Sequence, residues 1–252
     1  MARVEILDPE TLLTTGSQDE LEKMRSFSLL PHNRIGWNYP LDYLFILREF
    51  EKYLSRVRKP LQQLKILDVG CGPGAVHGYL EDRFDLNIVG IDLHRWEEDY
   101  VDIVGDFCSQ KLRRHFDLTE IDVIISSSAF EHNRPLSHVK LLKHCVEALD
   151  KVSGVLITTS AVTNLRTHHY KLSSQWNLSF DDVKLAYGAA PHNAGEYTQI
   201  FERWSGSEMI VKGYLERFPE LSSFNPSFLS LGYSGYAAEL SPKRGYGLRW
   251  LY

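Results

Sequence analysis

Three glycines and two aspartates stand at spacings that could bind a ligand at the ends of strands. Asp68 precedes a turn at which a short apolar strand gives way to a helix. The glycines of this turn are Gly70, Gly72 and Gly74. Glycine accepts a positive φ and lets the backbone approach a ligand that a Cβ would push away. Asp92 ends the next apolar strand, about 20 residues beyond the turn, where an acid hydrogen-bonds ribose hydroxyls in doubly wound sheets.

A third strand end adds an acid and an aromatic ring. The apolar stretch 101–105 is followed by Asp106 and Phe107, which could face an adenine ring. The glycines also fit a dinucleotide fingerprint, so a nicotinamide-dependent oxidoreductase stays open as an alternative. The position of Asp68 before the glycines and the lack of a Tyr-x-x-x-Lys pair speak against that alternative.

These segments resemble the Rossmann-like (class I) S-adenosylmethionine-dependent methyltransferases. The family's first motif, two hydrophobic residues followed by Asp-x-Gly-x-Gly-x-Gly, is matched by residues 66–74. Asp92 matches the family's ribose acid, and residues 105–107 match its adenine-side motif. Residues 122–132 match its fourth strand and the Glu-His that often follows that strand. The resemblance covers roughly residues 60–160 and names no acceptor.

The resemblance implies that S-adenosylmethionine is the cofactor. A lid over the cofactor would be formed by residues 33–40, with Arg34 facing a carboxylate and Trp37 or Tyr39 against the sulfonium. A turn that only anchors the next helix is the alternative for this segment. The residues expected to contact the cofactor are Arg34, Trp37, Tyr39, Asp68, Gly70, Cys71, Gly72, Gly74, Asp92, Leu93, Asp106, Phe107, Ser128 and Glu131.

Methyl transfer from a sulfonium is an in-line displacement, so the protein chiefly aligns the acceptor with the methyl group. An oxygen acceptor also needs a base. His132 is the first candidate because it follows the fourth strand, and His192 is the second. A helix-capping role is the alternative for His132. The adjacent pair His168 and His169 lacks acids at ligand spacing, so no metal site is expected.

The segment 161–204 interrupts the alternation of strands and helices, and long segments after a strand's carboxyl end are usually functional. We expect it to bind the acceptor, with a packing insertion or a dimer contact as the alternatives. The residues expected to bind the acceptor are His168, His169, Tyr170, Trp176 and Tyr197. No Asn/Asp-Pro-Pro-Tyr motif follows the fourth strand, which disfavours adenine methylation. The expected acceptor is a small-molecule hydroxyl, loosely as in sugar or surface-polysaccharide pathways, with a phosphorylated sugar included.

Composition limits the partners. The 252 residues carry a net charge of −5 without a large basic block, which disfavours a nucleic-acid substrate. Three cysteines without paired metal-ligand spacing favour a reducing, cytoplasmic compartment, and no apolar run is long enough to span a membrane. A homodimer is compatible with the sequence. A catalytically silent scaffold that keeps the cofactor fold is a further alternative.

Strands alternating with helices predict one α/β domain over residues 1–252, with residues 1–40 as an N-terminal extension or lid. The resemblance implies a doubly wound, seven-stranded, mostly parallel sheet with helices on both faces. It also implies an antiparallel C-terminal hairpin, placed at 227–233 and 236–240. A helix after Asn133 is expected to bury one stripe of side chains, formed by Leu136, Val139, Leu142, Val146 and Leu149.

Overall fold

The computed structural model describes residues 3–29, 39–95, 100–170, 175–206 and 248–251. Its strands are β1 (Glu5–Ile6), β2 (Ile66–Val69), β3 (Ile88–Asp92), β4 (Ile103–Val104), β5 (Val123–Ser127), β6 (Val155–Thr163), β7 (His168–Tyr170), β8 (Gln175–Ser179) and β9 (Leu248–Leu251). Its α-helices are α1 (Pro9–Leu12), α2 (Ser17–Arg25), α3 (Tyr39–Leu54), α4 (Ala75–Phe84), α5 (Gln110–His115), α6 (Pro135–Ala148), α7 (Phe180–Tyr187) and α8 (Tyr197–Gly206). Short 3-10 helices occupy Leu61–Gln63, Phe130–His132 and Ala194–Glu196. None of the helices among these residues is long and apolar enough to cross a membrane.

The main sheet has the strand order β1-β9-β6-β5-β2-β3-β4. The pairs from β6 to β4 are parallel, whereas β9 runs antiparallel to both β6 and β1. This path confirms the predicted doubly wound, seven-stranded and mostly parallel fold. Strands β7 and β8 extend the sheet to nine strands through a parallel pairing of β8 with β6. The predicted hairpin at 227–240 lies outside the described residues.

The central strands are apolar on both faces because helices cover both sides of the sheet. Successive residues of a strand point to opposite faces. Ile66 therefore enters one hydrophobic cluster together with Phe50 of α3, and Leu67 enters the other together with Leu142 of α6. Strand order reverses at β2, whose neighbours are β3 and β5. Ligands of α/β sheets bind beside the carboxyl ends of the strands at such a reversal.

Helix α6 buries a different face from the predicted one. Leu136 is 87% exposed, Val139 37% and Val146 48%, so the predicted stripe lies largely on the surface. The side chains that α6 buries are His138, Leu141, Leu142, Cys145 and Ala148. Both sets have helical spacing, so periodicity alone could not select between them. The set that is buried in the structure contains His138, whose Nε2 lies 2.5 Å from the hydroxyl oxygen of Tyr187.

Residues 3–29 are built into the domain. Strand β1 joins the sheet edge through β9, and α2 packs against α3 and α4. The indole of Trp204 donates to the carbonyl of Leu7 at 2.7 Å, and Arg203 forms a two-point ion pair with Asp8 at 2.9 and 2.6 Å. The N-terminal segment is thus fixed to α8. Residues 30–38, which carry most of the predicted lid, lie outside the described residues.

Candidate active site

A cavity of about 650 Å³ opens at the carboxyl ends of β2, β3 and β5. It therefore occupies the position at which the strand order reverses, and its size is that of a cofactor or drug-sized pocket. Of the residues predicted to contact a cofactor, the following line it: Tyr39, Asp68, Gly70, Cys71, Gly72, Gly74, Asp92, Leu93, Asp106, Phe107 and Ser128. Arg34 and Trp37 lie outside the described residues. Glu131 is fully buried and is not part of the cavity wall.

The glycine turn forms the floor of the cavity between β2 and α4. Gly70 has φ +73° and Gly72 has φ +51°, a backbone conformation that disfavours side chains. A Cβ on Gly70 would also collide with the Cβ of Ala129. The amide of Gly70 donates to the carbonyl of Ile91 at 2.7 Å, which fixes the turn to β3. The turn is glycine-rich because both its dihedral angles and its neighbours exclude larger residues.

Asp92 connects the end of β3 to the glycine turn. Its Oδ2 accepts a hydrogen bond from the amide of Gly72 at 3.0 Å, and its Oδ1 accepts from the amide of His94 at 3.1 Å. Each carboxylate oxygen has a second lone pair, so both can also accept from a ligand. These two hydrogen bonds hold the carboxylate in one orientation at the cavity wall, where it can accept hydrogen bonds from the hydroxyl groups of a ligand.

Asp68 is buried beneath the cavity beside a histidine that the sequence analysis did not identify. Asp68 and His77 are each 2% exposed, and the Nδ1 of His77 lies 3.3 Å from Oδ2 of Asp68. The other oxygen of Asp68, Oδ1, is buried without a hydrogen-bond partner among the described residues. The available signal was the position of His77 in the first turn of the helix that follows the glycines. The pair places one unsatisfied carboxylate oxygen at the cavity.

The stability of the protein should depend on the protonation of His77. Burial opposes the charged imidazole, but Asp68, Glu81 and Asp102 outweigh burial and raise the pKa of His77 above its usual 6.5. The stabilisation should be complete below about pH 6.5 and should be lost as the pH rises through the raised folded-state pKa. Urea unfolding from about pH 6 to pH 9 should therefore show a steeper loss of unfolding free energy in the wild type than in His77→Asn. Parallel curves would contradict this expectation.

Ser128 directly follows β5 and has a strained conformation, with φ +54°. Its amide lies 3.2 Å from both the carbonyl and the hydroxyl oxygen of Thr159, and its own hydroxyl donates to Oδ2 of Asp42. Asp42 is fully buried on α3. This network holds Ser128 in the left-handed region of φ and ψ. Residues other than glycine adopt that conformation where the surrounding contacts fix them, often at functional sites. Asp42 was missed from the sequence, although an acid within the apolar run 41–47 was a usable signal.

Two tyrosines and one cysteine add neutral groups to the wall. The rings of Tyr39 and Tyr43 stack with centroids 5.8 Å apart, and burial raises the pKa of Tyr43. Burial, together with Asp68 and Asp92, also raises the pKa of Cys71, whose thiol donates to the carbonyl of Tyr100 at 3.2 Å. The cysteine is therefore a neutral thiol, which is a poor nucleophile.

Asp106 and Phe107 follow β4 at the cavity's opposite wall. Oδ1 of Asp106 accepts from the amide of Cys108 at 2.8 Å. Phe107 is buried, its carbonyl accepts from Arg113 at 2.5 Å, and the guanidinium of Arg113 lies 5.6 Å from its ring centroid. The acid and the ring therefore have fixed positions on this wall.

The structure places the two predicted bases, His132 and His192, in different surroundings. His132 ends the 3-10 helix that follows β5, where its exposed side chain lines the cavity beside Asn133. His192 does not line the cavity. Its amide and its Nδ1 both contact the carbonyl of Val4, at 2.9 and 3.0 Å. Of the two predicted bases, His132 therefore lies at the cavity, whose wall also includes His94, and His192 contacts the N-terminal segment.

Of the predicted acceptor-binding residues, His168, His169, Trp176 and Tyr197 do not line the cavity. His168, His169 and Tyr170 form β7, and the ring of His169 lies 5.1 Å from that of Trp176 on β8. Strand β8 packs against the 3-10 helix that carries His132, so the β7–β8 hairpin neighbours the cavity. Tyr197 is 2% exposed and packs in the core, which corrects its predicted role because a core side chain cannot contact an acceptor.

The charge of the cavity wall is acidic. Among the described residues that line it, the charged side chains are Asp68, Asp92 and Asp106, and neither Lys nor Arg occurs. Such a wall attracts a cation and repels a phosphate. Among the described residues, no group of three or more His, Cys, Asp and Glu is arranged to hold a metal ion.

Residues 67–158 match the family described as the methyltransferase domain. Hydroxymycolate synthase MmaA4 of Mycobacterium tuberculosis is 28% identical over 178 residues, which are 66% of this chain and 56% of that protein. Phosphoethanolamine N-methyltransferase 2 of Haemonchus contortus, solved with phosphomonomethylethanolamine and S-adenosylhomocysteine, is 15% identical, with TM-score 0.42, over 81% of this chain and 51% of that one. The cyclopropane synthase MmaA2 of M. tuberculosis is also 15% identical, with TM-score 0.47, over 95% of this chain and 98% of that one. The chain therefore spans little more than half the length of the first two proteins.

Proposed function

We propose that this chain is a Rossmann-like (class I) S-adenosylmethionine-dependent methyltransferase and that it methylates an oxygen of a small-molecule acceptor. The observation that carries the proposal is the acid-walled cavity above the glycine turn, at the reversal of strand order. S-adenosylmethionine supplies an electrophilic methyl group on a sulfonium cation. The residues present fit this cofactor in shape and in charge.

The fit rests on three features of the wall. Gly70 and Gly72 have no Cβ, so the backbone of the turn can approach the ligand closely. The fixed carboxylate of Asp92 can accept from the ribose hydroxyls. The buried, unpartnered Oδ1 of Asp68 can accept from the methionyl ammonium, which would repay the cost of burying a carboxylate. Beside these three features, the ring of Tyr39 lines the cavity and could offer a π surface to a cation.

The protein's part in the reaction is alignment and proton removal. Alignment of two reactants can lower a barrier by as much as about 7–11 kcal/mol. An alcohol acceptor must lose its proton as the new bond to carbon forms, and we assign His132 as the base that takes it. Its exposed imidazole at the cavity wall, beside the carboxyl end of β5, supports this role.

The proposed acceptor is an oxygen of a sugar, a phosphorylated sugar or a related metabolite. The described wall favours the unphosphorylated members of this class, because its acids would repel a phosphate and no Lys or Arg among its described residues would bind one. A phosphorylated acceptor would require a cationic side chain from outside the described wall. We assign acceptor contacts to the segment 161–204, through the β7–β8 hairpin that neighbours His132.

The remaining sequence-based assignments stay with this proposal. Residues 1–252 are assigned to one catalytic domain, residues 1–40 to an N-terminal extension, and residues 33–40 within it to a lid over the cofactor. The charge and cysteine usage favour a cytoplasmic enzyme of small molecules that does not bind nucleic acid, and a homodimer stays open.

Calorimetry with S-adenosylhomocysteine on the cofactor-stripped protein tests the proposal. We expect binding in the wild type and a loss of about 1.5–3 kcal/mol in Asp92→Ala, the usual contribution of hydrogen bonds to a charged group. Asp82→Ala is the matched control, because Asp82 is an exposed acid of α4 that does not line the cavity. It should bind as the wild type does. An unchanged dissociation constant in Asp92→Ala would remove this residue from the site, and binding of NADH in place of S-adenosylhomocysteine would favour the oxidoreductase alternative.

A further inference from the structure

His77 is the central member of a row of titratable groups that runs from Asp68, at the cavity, to the half-buried Glu81. Its Nδ1 lies 3.3 Å from Asp68 on one side, and its Nε2 lies 3.7 Å from Oε2 of Glu81 on the other. The phenol ring of Tyr100 stacks on the imidazole, with centroids 4.9 Å apart and an interplanar angle of 21°. A ring held from three sides has one orientation, so Nδ1 is directed at Asp68.

The surroundings of the imidazole are themselves fixed. The hydroxyl of Tyr100 donates to the carbonyl of Phe27 at 2.9 Å, which holds the stacked ring. Oε1 of Glu81 accepts from the amide of Ile88 at 2.8 Å, and a carboxylate of Asp102 accepts from the amide of Gly90 at 2.8 Å. Asp68, Glu81, Asp102 and Tyr100 are the titratable groups that act on His77 from the neighbouring elements. Glu81 and Asp102 are both anchored to β3, and Tyr100 is anchored to Phe27.

The cavity wall itself does not include His77. A direct contact with a ligand is therefore not its role. A buried carboxylate without a neighbouring group to fix it could rotate toward another donor. The contact of His77 with Oδ2, at 3.3 Å, fixes the orientation of the carboxylate, and Oδ1 has no hydrogen-bond partner among the described residues.

We propose that His77 is a positioning residue that orients Asp68 to bind the cationic amino-acid end of S-adenosylmethionine. This inference rests on the proposed function for the identity of the ligand. Binding of the amino-acid end of that ligand would then depend on His77, although His77 does not line the cavity. The adenosine end, assigned to Asp92, should not depend on His77.

Two amide variants separate the two nitrogens of the ring. In His77→Asn the amide can place an N–H donor near the position of Nδ1, facing Asp68. In His77→Gln the longer side chain places it near the position of Nε2, facing Glu81. The two variants are alike in polarity and in their lack of charge, so each is the other's control. Thermal unfolding of both would be recorded beside the binding data.

The probes are S-adenosylhomocysteine, which carries the ammonium group, and 5′-methylthioadenosine, which shares the adenosine and the sulfur but lacks the amino-acid end. By calorimetry, His77→Asn should bind both probes within about threefold of the wild type. His77→Gln should bind S-adenosylhomocysteine roughly 10–100-fold more weakly, the range expected for a lost hydrogen bond to a charged group, with 5′-methylthioadenosine unchanged.

Equal affinities of both variants and the wild type for S-adenosylhomocysteine would overturn the role of His77, as would a parallel loss of both probes. If the wild type bound neither probe, the proposed function itself would fail. Nitrogen-resolved NMR of the wild-type imidazole covers the case in which His77→Gln does not fold. The Nδ1 proton should shift on addition of S-adenosylhomocysteine and stay in place with 5′-methylthioadenosine, and equal shifts would overturn the inference.

Discussion

Replacing Gly70 by alanine is expected to abolish binding of S-adenosylhomocysteine in a protein that still folds. The new Cβ would meet the Cβ of Ala129, at the backbone that leads to His132. The residue would also have to keep φ +73°, which costs an alanine about 1–2 kcal/mol. Relief of the collision requires the turn or the 3-10 helix to move, and either movement narrows the cavity. Calorimetry should detect no heat of binding at ligand concentrations that saturate the wild type.

Gly188→Ala is the matched control for this variant. Gly188 ends α7 with φ +76°, nearly the dihedral angle of Gly70, but nothing lies within 4 Å of the position of its Cβ. The two substitutions therefore share the backbone strain and differ in the collision and in their distance from the cavity. Gly188→Ala should lower the melting temperature and leave binding intact. Wild-type affinity in Gly70→Ala would show that the turn tolerates a side chain and would remove it from the site.

The glycine turn could be predicted because its requirements are local. Gly70 and Gly72 have positive φ, Asp92 follows at the end of the next strand, and all three were identified from spacing alone. Helix α4 begins directly after Gly74, as predicted, since its start is set by the same turn. Local backbone geometry restricts the residue type strongly, so the reverse inference from residue type to geometry succeeds.

Buried polar partners could not be predicted in the same way, because their partners are distant in the chain. Asp42 accepts a hydrogen bond from the hydroxyl of Ser128, which is 86 residues away in the chain. Neither residue type predicts this contact with the other. His77 lies close to Asp68 in the chain, but a histidine within a helix gives no direction for its ring. Such contacts depend on how helices pack on the sheet, which the spacing of apolar residues leaves undetermined.

The same limit explains the errors in the segment 161–204. Aromatic residues and histidines there suggested a binding surface, but residue type does not tell which way a side chain points. Tyr197 starts α8 and packs against Phe180 and Phe201, so its ring belongs to the core. His192 faces the N-terminal segment, which is remote in sequence. In α6, the spacing of apolar residues was likewise compatible with burial of either of two faces, and the face that is buried carries His138.

Substitution of His132 by alanine is expected to lower kcat by roughly 10²–10⁴-fold while leaving the affinity for S-adenosylhomocysteine near that of the wild type. The base acts on the acceptor hydroxyl and not on the cofactor, so its loss should affect turnover alone. The measurement is transfer of a labelled methyl group to the best acceptor from a screen of sugars, phosphorylated sugars and phenols. Calorimetry on the same preparation reports the cofactor affinity.

His192→Ala separates the two histidines that the sequence offered as bases. Its side chain contacts the carbonyl of Val4 and lies outside the cavity wall, so its removal should reduce stability and spare turnover. Loss of turnover in His192→Ala with full activity in His132→Ala would transfer the role of base. Full activity in both variants would mean that neither of these histidines is the base. That result would favour a nucleophile that is already deprotonated in solution, for which alignment with the methyl group is sufficient.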